Sequence, residues 1–192
     1  RGGKRSGSLA MVLGQIGFKI NLIEGGYKAF RAAMLEDIAL IAPSFQYQVI
    51  SGPTGSGKTR LLQALKMEGA QVLDLEDLAQ HRSSVLGHIP GQHQPSQKHF
   101  DMLVWQTLKQ FDPTRVVFTE SESRKVGNLS IPDPVMLAMR NSPCHELLLP
   151  LQERVALLME DYSFFVTDPN LFCKRLDALV AIRGKAVVEE WK

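Results

Sequence analysis

The stretch Ser51-Gly52-Pro53-Thr54-Gly55-Ser56-Gly57-Lys58-Thr59 constrains this chain more than any other. Gly52, four residues, then Gly57-Lys58-Thr59 satisfy the G-x-x-x-x-G-K-[ST] pattern of a phosphate-binding loop. The β-prone run Tyr47-Gln48-Val49-Ile50 precedes it, and the helical run Arg60-Leu61-Leu62-Gln63-Ala64-Leu65 follows. That strand–loop–helix setting is what such a loop requires. Its glycines let backbone N–H groups turn inward, and the helix N-terminus adds positive potential. On this reading Gly52, Pro53, Thr54, Gly55, Ser56 and Gly57 form the cradle. Lys58 reaches terminal phosphate oxygens, and Thr59 ligates Mg²⁺. A Gly-rich turn that binds nothing is disfavoured, because the motif is complete and correctly placed. The pattern specifies a polyphosphate, not which one, so ATP and GTP stay open.

The pattern around the loop sets the fold class. After residue 45, strands are expected at 47–50, 71–75, 115–119 and 145–149, with a helix over 98–111 and two or three helices in 150–192. One of the last begins at Asp168-Pro169, a cap followed by proline in the first turn. Alternating strands and helices predict a P-loop NTPase-like α/β domain, with a parallel sheet and helices on both faces. Residues 83–97, rich in Ser, Gly, Pro, Gln and His, read as a long functional loop. Its amides either read a nucleobase or cap turns. Ahead of this domain, residues 7–17 read as a helix closed by Gly14 or Gly17, and Lys19 to Ile23 as a short strand. Glu24-Gly25-Gly26 make a turn, Tyr27 to Ile41 a second helix, and Ala42-Pro43-Ser44 a boundary. The division expected is 1–43 and 44–192.

Composition removes several function classes. The 192 residues are 44% hydrophobic, enough for a packed core, and no apolar run spans a bilayer. Cys144 and Cys173 lack a C-x-x-C partner, so a reduced, cytoplasmic protein without a zinc site is expected. A net charge of +2 does not argue for nucleic acid by itself. An RNA surface has to be local, at Lys98-His99, Arg124-Lys125, Lys174-Arg175 or Arg183 with Lys185, each of which equally suits a solvated helix face.

Two acidic segments carry candidate chemistry. Val72-Leu73-Asp74-Leu75-Glu76-Asp77-Leu78-Ala79-Gln80-His81-Arg82 brings Asp74 to a strand end, where ligand crevices lie. Asp74 either orders Mg²⁺ water or caps the following helix, and both roles stay open. Glu76 and Asp77 read as first-turn charges favouring the helix dipole. Arg82 suits a phosphate because it keeps its charge, and His81 reads as structural. Arg115-Val116-Val117-Phe118-Thr119-Glu120 is an apolar strand delivering an acid, the Walker-B pattern. Glu120 or Glu122 then holds Mg²⁺ water or accepts a proton, and Arg124 with Lys125 neutralises a leaving phosphate. A solvated strand exit with paired charges is the alternative. Trp105, at helical spacing with Leu108, reads as core.

Arg1-Gly2-Gly3-Lys4-Arg5-Ser6 would form a tight cationic loop running into a helix, suited to an anion or to a thiolate or persulfide. A disordered basic terminus fits the composition equally. With the helix, short strand, Gly-Gly turn and Tyr27 that follow, the segment resembles the last third of a rhodanese domain, in which this loop follows the catalytic cysteine.

Taken together, RGGKRSGS, EGGYKAF, GPTGSGKT, VLDLEDLAQHR, QPSQKHF, and ESESRKVG followed by Ile131-Pro132 resemble the tRNA 2-selenouridine synthase family over nearly the whole chain. Ser83 and Leu86 depart from it, standing where the family usually has Gly and Phe. The family's amino-terminal rhodanese part with its cysteine is expected to be absent here, and its carboxy-terminal part shortened. The resemblance implies conversion of wobble 2-thiouridine of tRNA to 2-selenouridine in two steps. Geranyl pyrophosphate first alkylates the sulfur, and selenium from selenophosphate then replaces the geranylthio group. The loop at 52–59 would then hold the pyrophosphate of a prenyl donor with Mg²⁺. A small-molecule kinase and a nucleotide-dependent regulatory module are the alternatives. The kinase needs an arginine-rich lid, and residues 83–98 contain few arginines.

Overall fold

The computed structural model describes residues 4–82, 84, 86–88 and 91–192. Four parallel strands form the central sheet: β1 (Tyr47–Ser51), β2 (Gln71–Leu73), β3 (Val117–Glu120) and β6 (Cys144–Glu146), in the order β2-β3-β1-β6. β1 pairs with β3 from Tyr47 opposite Val117 to Ile50 opposite Glu120, and with β6 from Val49 opposite Cys144. This is the parallel sheet that the strand spacing predicts. β3 starts two residues later than expected and ends one later, and β2 and β6 end earlier, by two and three residues.

Alternation along the strands splits the core in two. Tyr47, Val49, Leu73 and Val117 point to one face, where they meet Phe100, Val104 and Leu108 of α5 (Gln97–Gln110). α2 (Gly26–Ile41) joins the same cluster through Ile38, and α6 (Asp133–Arg140) through Val135, Met136 and Met139. Ile50 and Val72 point the other way, onto Leu62 of α3 (Lys58–Met67). Both faces are therefore covered by helices, as a parallel sheet requires.

α2 is tied to α5 by polar bonds as well. Arg31 pairs with the buried Asp101 at 2.6 Å, and the indole N–H of Trp105 donates to Asp37 at 2.7 Å. Phe30 meets the Trp105 ring edge-on at 5.9 Å. Trp105 thus packs against the core while its N–H reaches a partner at the rim.

α1 (Lys4–Gln15) closes at Gly17, whose φ of 92° lets Phe18 N–H return to the carbonyl of Leu13. No residue of α1 is buried. Lys19 to Ile23 form no strand, which corrects the expectation. A strand needs a ladder partner for its N–H and C=O groups, and neither sheet of the described residues takes this segment in.

Two elements were not anticipated. β4 (Lys125–Val126) and β5 (Leu129–Ser130) form a small hairpin about Gly127-Asn128, followed by α6, whose first turn holds Pro134. After β6 the chain is broken into shorter helices than expected: α7 (Leu151–Asp161), α8 (Ser163–Thr167), α9 (Pro169–Leu176), α10 (Val180–Arg183) and α11 (Lys185–Trp191). α9 starts as the Asp168-Pro169 pair predicts, with the Asp168 carboxylate accepting the N–H of Leu171 at 3.0 Å.

Candidate functional site

From β1 the chain steps to β2 and β3 on one side, and later adds β6 on the other, so the winding switches beside β1 and the crevice beyond its end is where the fold admits a ligand. Residues 52–57 occupy that place, and α3 starts directly behind them. Gly57, at φ 85°, turns the chain into the helix. The Lys58 ammonium donates to the carbonyl of Gly52 at 2.8 Å and lies 3.5 Å from that of Pro53. It thus arches over the loop it serves. The Ser56 hydroxyl is buried without a hydrogen-bond partner. The cleft in front of this loop encloses about 540 Å³. Thr59, Glu76 and Arg82 border it, as do Ser121, Glu122 and Ser123 beyond β3.

The acids divide their work. Asp74 accepts the N–H of Asp77 at 2.9 Å and caps α4 (Leu75–Ala79), which is one of its two foreseen roles. Its carboxyl is raised above the usual range, first by burial and then by the nearby charges of Asp77 and Glu76. Glu120, 3% exposed, accepts the backbone N–H of Glu76 at 2.9 Å on one oxygen. Its other oxygen is buried without a partner. Burial, followed by the Asp74 charge, pushes this carboxyl well up. Glu76, which the sequence suggested only as a helix charge, reaches the cleft instead. Its carboxylate lies 3.5 Å from the Thr59 hydroxyl.

These groups fit Mg²⁺. The ion takes oxygen ligands, keeps several waters, and needs only one or two carboxylates beside phosphate oxygens. Thr59 and Glu76 supply two adjacent oxygens at the cleft wall, and Glu120, buried and not lining the cleft, holds the backbone of Glu76 in place. Among the described residues no cluster of three or more His, Cys, Asp or Glu side chains forms a metal site, so the ion would depend on the phosphate ligand.

Other expected residues lie elsewhere. Arg124 pairs with Asp133 at 3.0 Å, and with the exposed Lys125 it borders a separate groove beside α2 and α6. Neither lines the phosphate cleft, because the β4–β5 hairpin carries them away from it. Lys4, Arg5 and Ser6 form the first turn of α1 and do not border the cleft, while Arg1, Gly2 and Gly3 lie outside the described residues.

Gln94 and Gln97 of the 83–97 segment bind backbone. Gln94 donates to the carbonyls of Ala79 and Val126, at 3.3 and 2.9 Å, and accepts the N–H of Asn128 at 2.8 Å. Gln97 bridges Ser130 and Asp101 in the same way. Gly127 is required there: its φ is 59°, and a Cβ would sit 2.4 Å from the Gln94 amide oxygen.

A second cavity, of about 520 Å³, opens beside the cleft and shares Thr54, Ser84, Leu158 and Tyr162 with it. Among the described residues its remaining wall is apolar: Leu86, Val155, Met159, Phe165, Val166, Phe172 and Leu179. α7 lies directly on the phosphate loop. A Cβ on Gly55 would meet the Leu158 side chain at 2.8 Å and the Arg154 carbonyl at 3.0 Å. Arg154 fixes the contact by donating twice to the Thr54 carbonyl, at 3.0 and 3.2 Å. Arg82 stands between the two spaces, its guanidinium 4.7 Å from the Tyr162 ring centre and hydrogen-bonded to the Asp161 carbonyl. The aromatic run Tyr162-Ser163-Phe164-Phe165 was visible in the sequence as composition, but its position against the loop was not.

The family model of the tRNA 2-selenouridine synthase AAA domain matches residues 45–176. The chain is 38% identical to the tRNA 2-selenouridine synthase of Nitrosomonas europaea over 84% of its own length and 42% of that protein. Identity to the proteins of the same name from Aeromonas salmonicida and Bdellovibrio bacteriovorus is 34% and 36%, each over 84% of this chain and 43% of theirs. The chain spans less than half the length of these curated relatives. The match takes in the phosphate loop, Glu76, Arg82, the Glu120 strand end and most of the apolar cavity, so this chain belongs to the tRNA 2-selenouridine synthase AAA-domain family.

Proposed function

We propose that this chain carries the donor-binding and alkyl-transfer site of a tRNA 2-selenouridine synthase, with geranyl pyrophosphate as the donor. The observation that carries the reading is the apolar cavity opening from the phosphate cleft. A prenyl diphosphate has a polyanionic head joined to a hydrocarbon tail, and the two spaces offer those two environments in that order. A purine suits the second space poorly. Its ring edges need hydrogen bonds, and among the described residues the polar side chains there are Thr54, Ser84 and Tyr162, all at the shared end. Ser84 and Tyr162 are already bonded to each other at 3.1 Å.

On this reading the diphosphate lies on residues 52–59, with Lys58 and Arg82 as its fixed cations. Thr59 and Glu76 would hold Mg²⁺, which when bound supplies Lewis-acid charge stabilisation to the leaving oxygens. The wobble 2-thiouridine sulfur attacks the allylic carbon, and a C–S bond forms as the C–O bond to pyrophosphate breaks. The base loses its N3 proton, for which Glu122 at the cleft wall is the proposed acceptor. Glu120 orients the first turn of α4, and so Glu76, through the backbone bond. In the second step selenium from selenophosphate replaces the geranylthio group. We assign that step to the whole protein, with its rhodanese-like part. tRNA as the partner follows from the same reading.

Nucleoside mass spectrometry of thiouridine tRNA incubated with this chain, geranyl pyrophosphate, Mg²⁺ and selenophosphate tests it. S-geranyl-2-thiouridine without 2-selenouridine is the expected result. A chain that alkylates no tRNA, and binds geranyl pyrophosphate no better than inorganic pyrophosphate, would overturn the reading.

A further inference from the structure

The cavity is not symmetric. On one side its rim is open, with Val155, Met159 and Val166 exposed at 50%, 57% and 61%. The other side is an aromatic file leading away from the phosphate cleft. Arg82 lies over Tyr162, the Tyr162 ring stacks on Phe165 at 5.8 Å with 6° between planes, and Phe165 meets Phe172 at 5.1 Å. Tyr162 belongs to both spaces, whereas Phe165, Phe172 and Leu179 belong to the apolar one alone. Phe172 therefore ends this file on the side away from the phosphates, on α9, and Leu179, from the following turn, lines the same cavity.

We propose that Phe172, backed by Leu179, is the end wall of the tail pocket and sets the longest isoprenoid chain that the donor can carry. The inference rests on the prenyl diphosphate reading. With its head fixed by the phosphate loop, a linear tail extends a distance set by its number of isoprene units. The residue it meets at that distance decides whether another unit fits. A pocket of this kind discriminates one hydrocarbon group from the next by about tenfold or more, since an overlong tail must be bent out into water or force the wall aside. The bulky ring at 172 is a better stop than the exposed rim, because it is held by Phe165 on its cleft side.

The test measures binding of dimethylallyl, geranyl and farnesyl diphosphates, and of inorganic pyrophosphate, to this chain and to Phe172→Ala, Phe172→Trp and Leu179→Ala. Phe172→Ala is expected to raise the farnesyl-to-geranyl affinity ratio by about tenfold, with inorganic pyrophosphate binding unchanged. Leu179→Ala moves the ratio the same way, and Phe172→Trp lowers the geranyl-to-dimethylallyl ratio. A merely structural role would weaken all four ligands together. Unchanged ratios in all three variants, with tight geranyl diphosphate binding retained, would overturn the end wall and leave the prenyl reading standing. A wild-type chain that binds the three prenyl diphosphates no tighter than inorganic pyrophosphate would overturn both.

Discussion

Glu120 accepts the backbone N–H of Glu76 at 2.9 Å, so the end of the Walker-B strand holds the first turn of the helix that faces the phosphate loop. One oxygen of Glu120 fixes α4, and the other is left buried and unsatisfied. The strand's acid therefore acts at one remove: it places the Glu76 carboxylate beside Thr59 and keeps an oxygen in reserve. A buried carboxyl oxygen without a partner costs about 1–3 kcal/mol.

This arrangement fixes a pH dependence. Glu120 has its carboxyl raised well above the usual range, by burial first. The folded chain then holds a proton that the unfolded chain has released, so stability falls as pH rises from the ordinary carboxylate range toward the raised value. The slope is at most about 1.4 kcal/mol per pH unit for one proton. Glu120→Gln removes this slope, while the contribution of Asp74, raised in the same sense, remains. Thermal unfolding of both proteins across pH 5–9 checks it.

Lys58→Ala is expected to weaken pyrophosphate binding by about 1.5–3 kcal/mol, the range for a charged hydrogen bond. Folding should be nearly unchanged, because the hydrogen bonds of the Lys58 ammonium among the described residues go to the carbonyls of its own loop, Gly52 and Pro53. Calorimetry and a denaturation curve on the same variant separate the two effects.

Gly55→Ala tests the seat of α7 on the loop. The new Cβ would press on Leu158 and the Arg154 carbonyl, at a φ of 81° that itself costs a side chain about 1–2 kcal/mol. Loss of both pyrophosphate affinity and stability is expected. If the variant binds like wild type, α7 does not rest on the phosphate loop.

Gln94→Ala removes three hydrogen bonds that clamp the β4–β5 hairpin to α4. A loss of about 1–3 kcal/mol is expected, with faster amide exchange at Val126 and Asn128. Pyrophosphate affinity should change little, since the hairpin does not border the cleft.

What was legible in the sequence had local causes. The phosphate loop, the four strands and the Asp168 cap each announce themselves in adjacent residues. The hairpin carried a signal, Gly127-Asn128 between Val126 and Leu129, that two-residue strands make easy to pass over. Glu76 and the apolar cavity were hidden for another reason. Whether a first-turn acid faces solvent or a ligand depends on which strand lies beside its helix, and here that is β3, 44 residues away. The cavity joins Thr54 and Leu86 to α7, α8 and α9, more than a hundred residues from the loop in some pairs, and no periodicity records that meeting. Arg124 and Lys125 looked like phosphate cations because they follow the Walker-B acid, but the hairpin turns them outward.

The most direct measurement is a calorimetric comparison of geranyl pyrophosphate, inorganic pyrophosphate and ATP binding to this chain with Mg²⁺. If the loop and the apolar cavity form one site, burying five methylene-sized groups of the tail adds about 4 kcal/mol, roughly a thousandfold in affinity over pyrophosphate alone. Geranyl pyrophosphate should then bind tightest by a wide margin. Equal affinity for geranyl and inorganic pyrophosphates, or tighter binding of ATP than of either, would contradict the central claim.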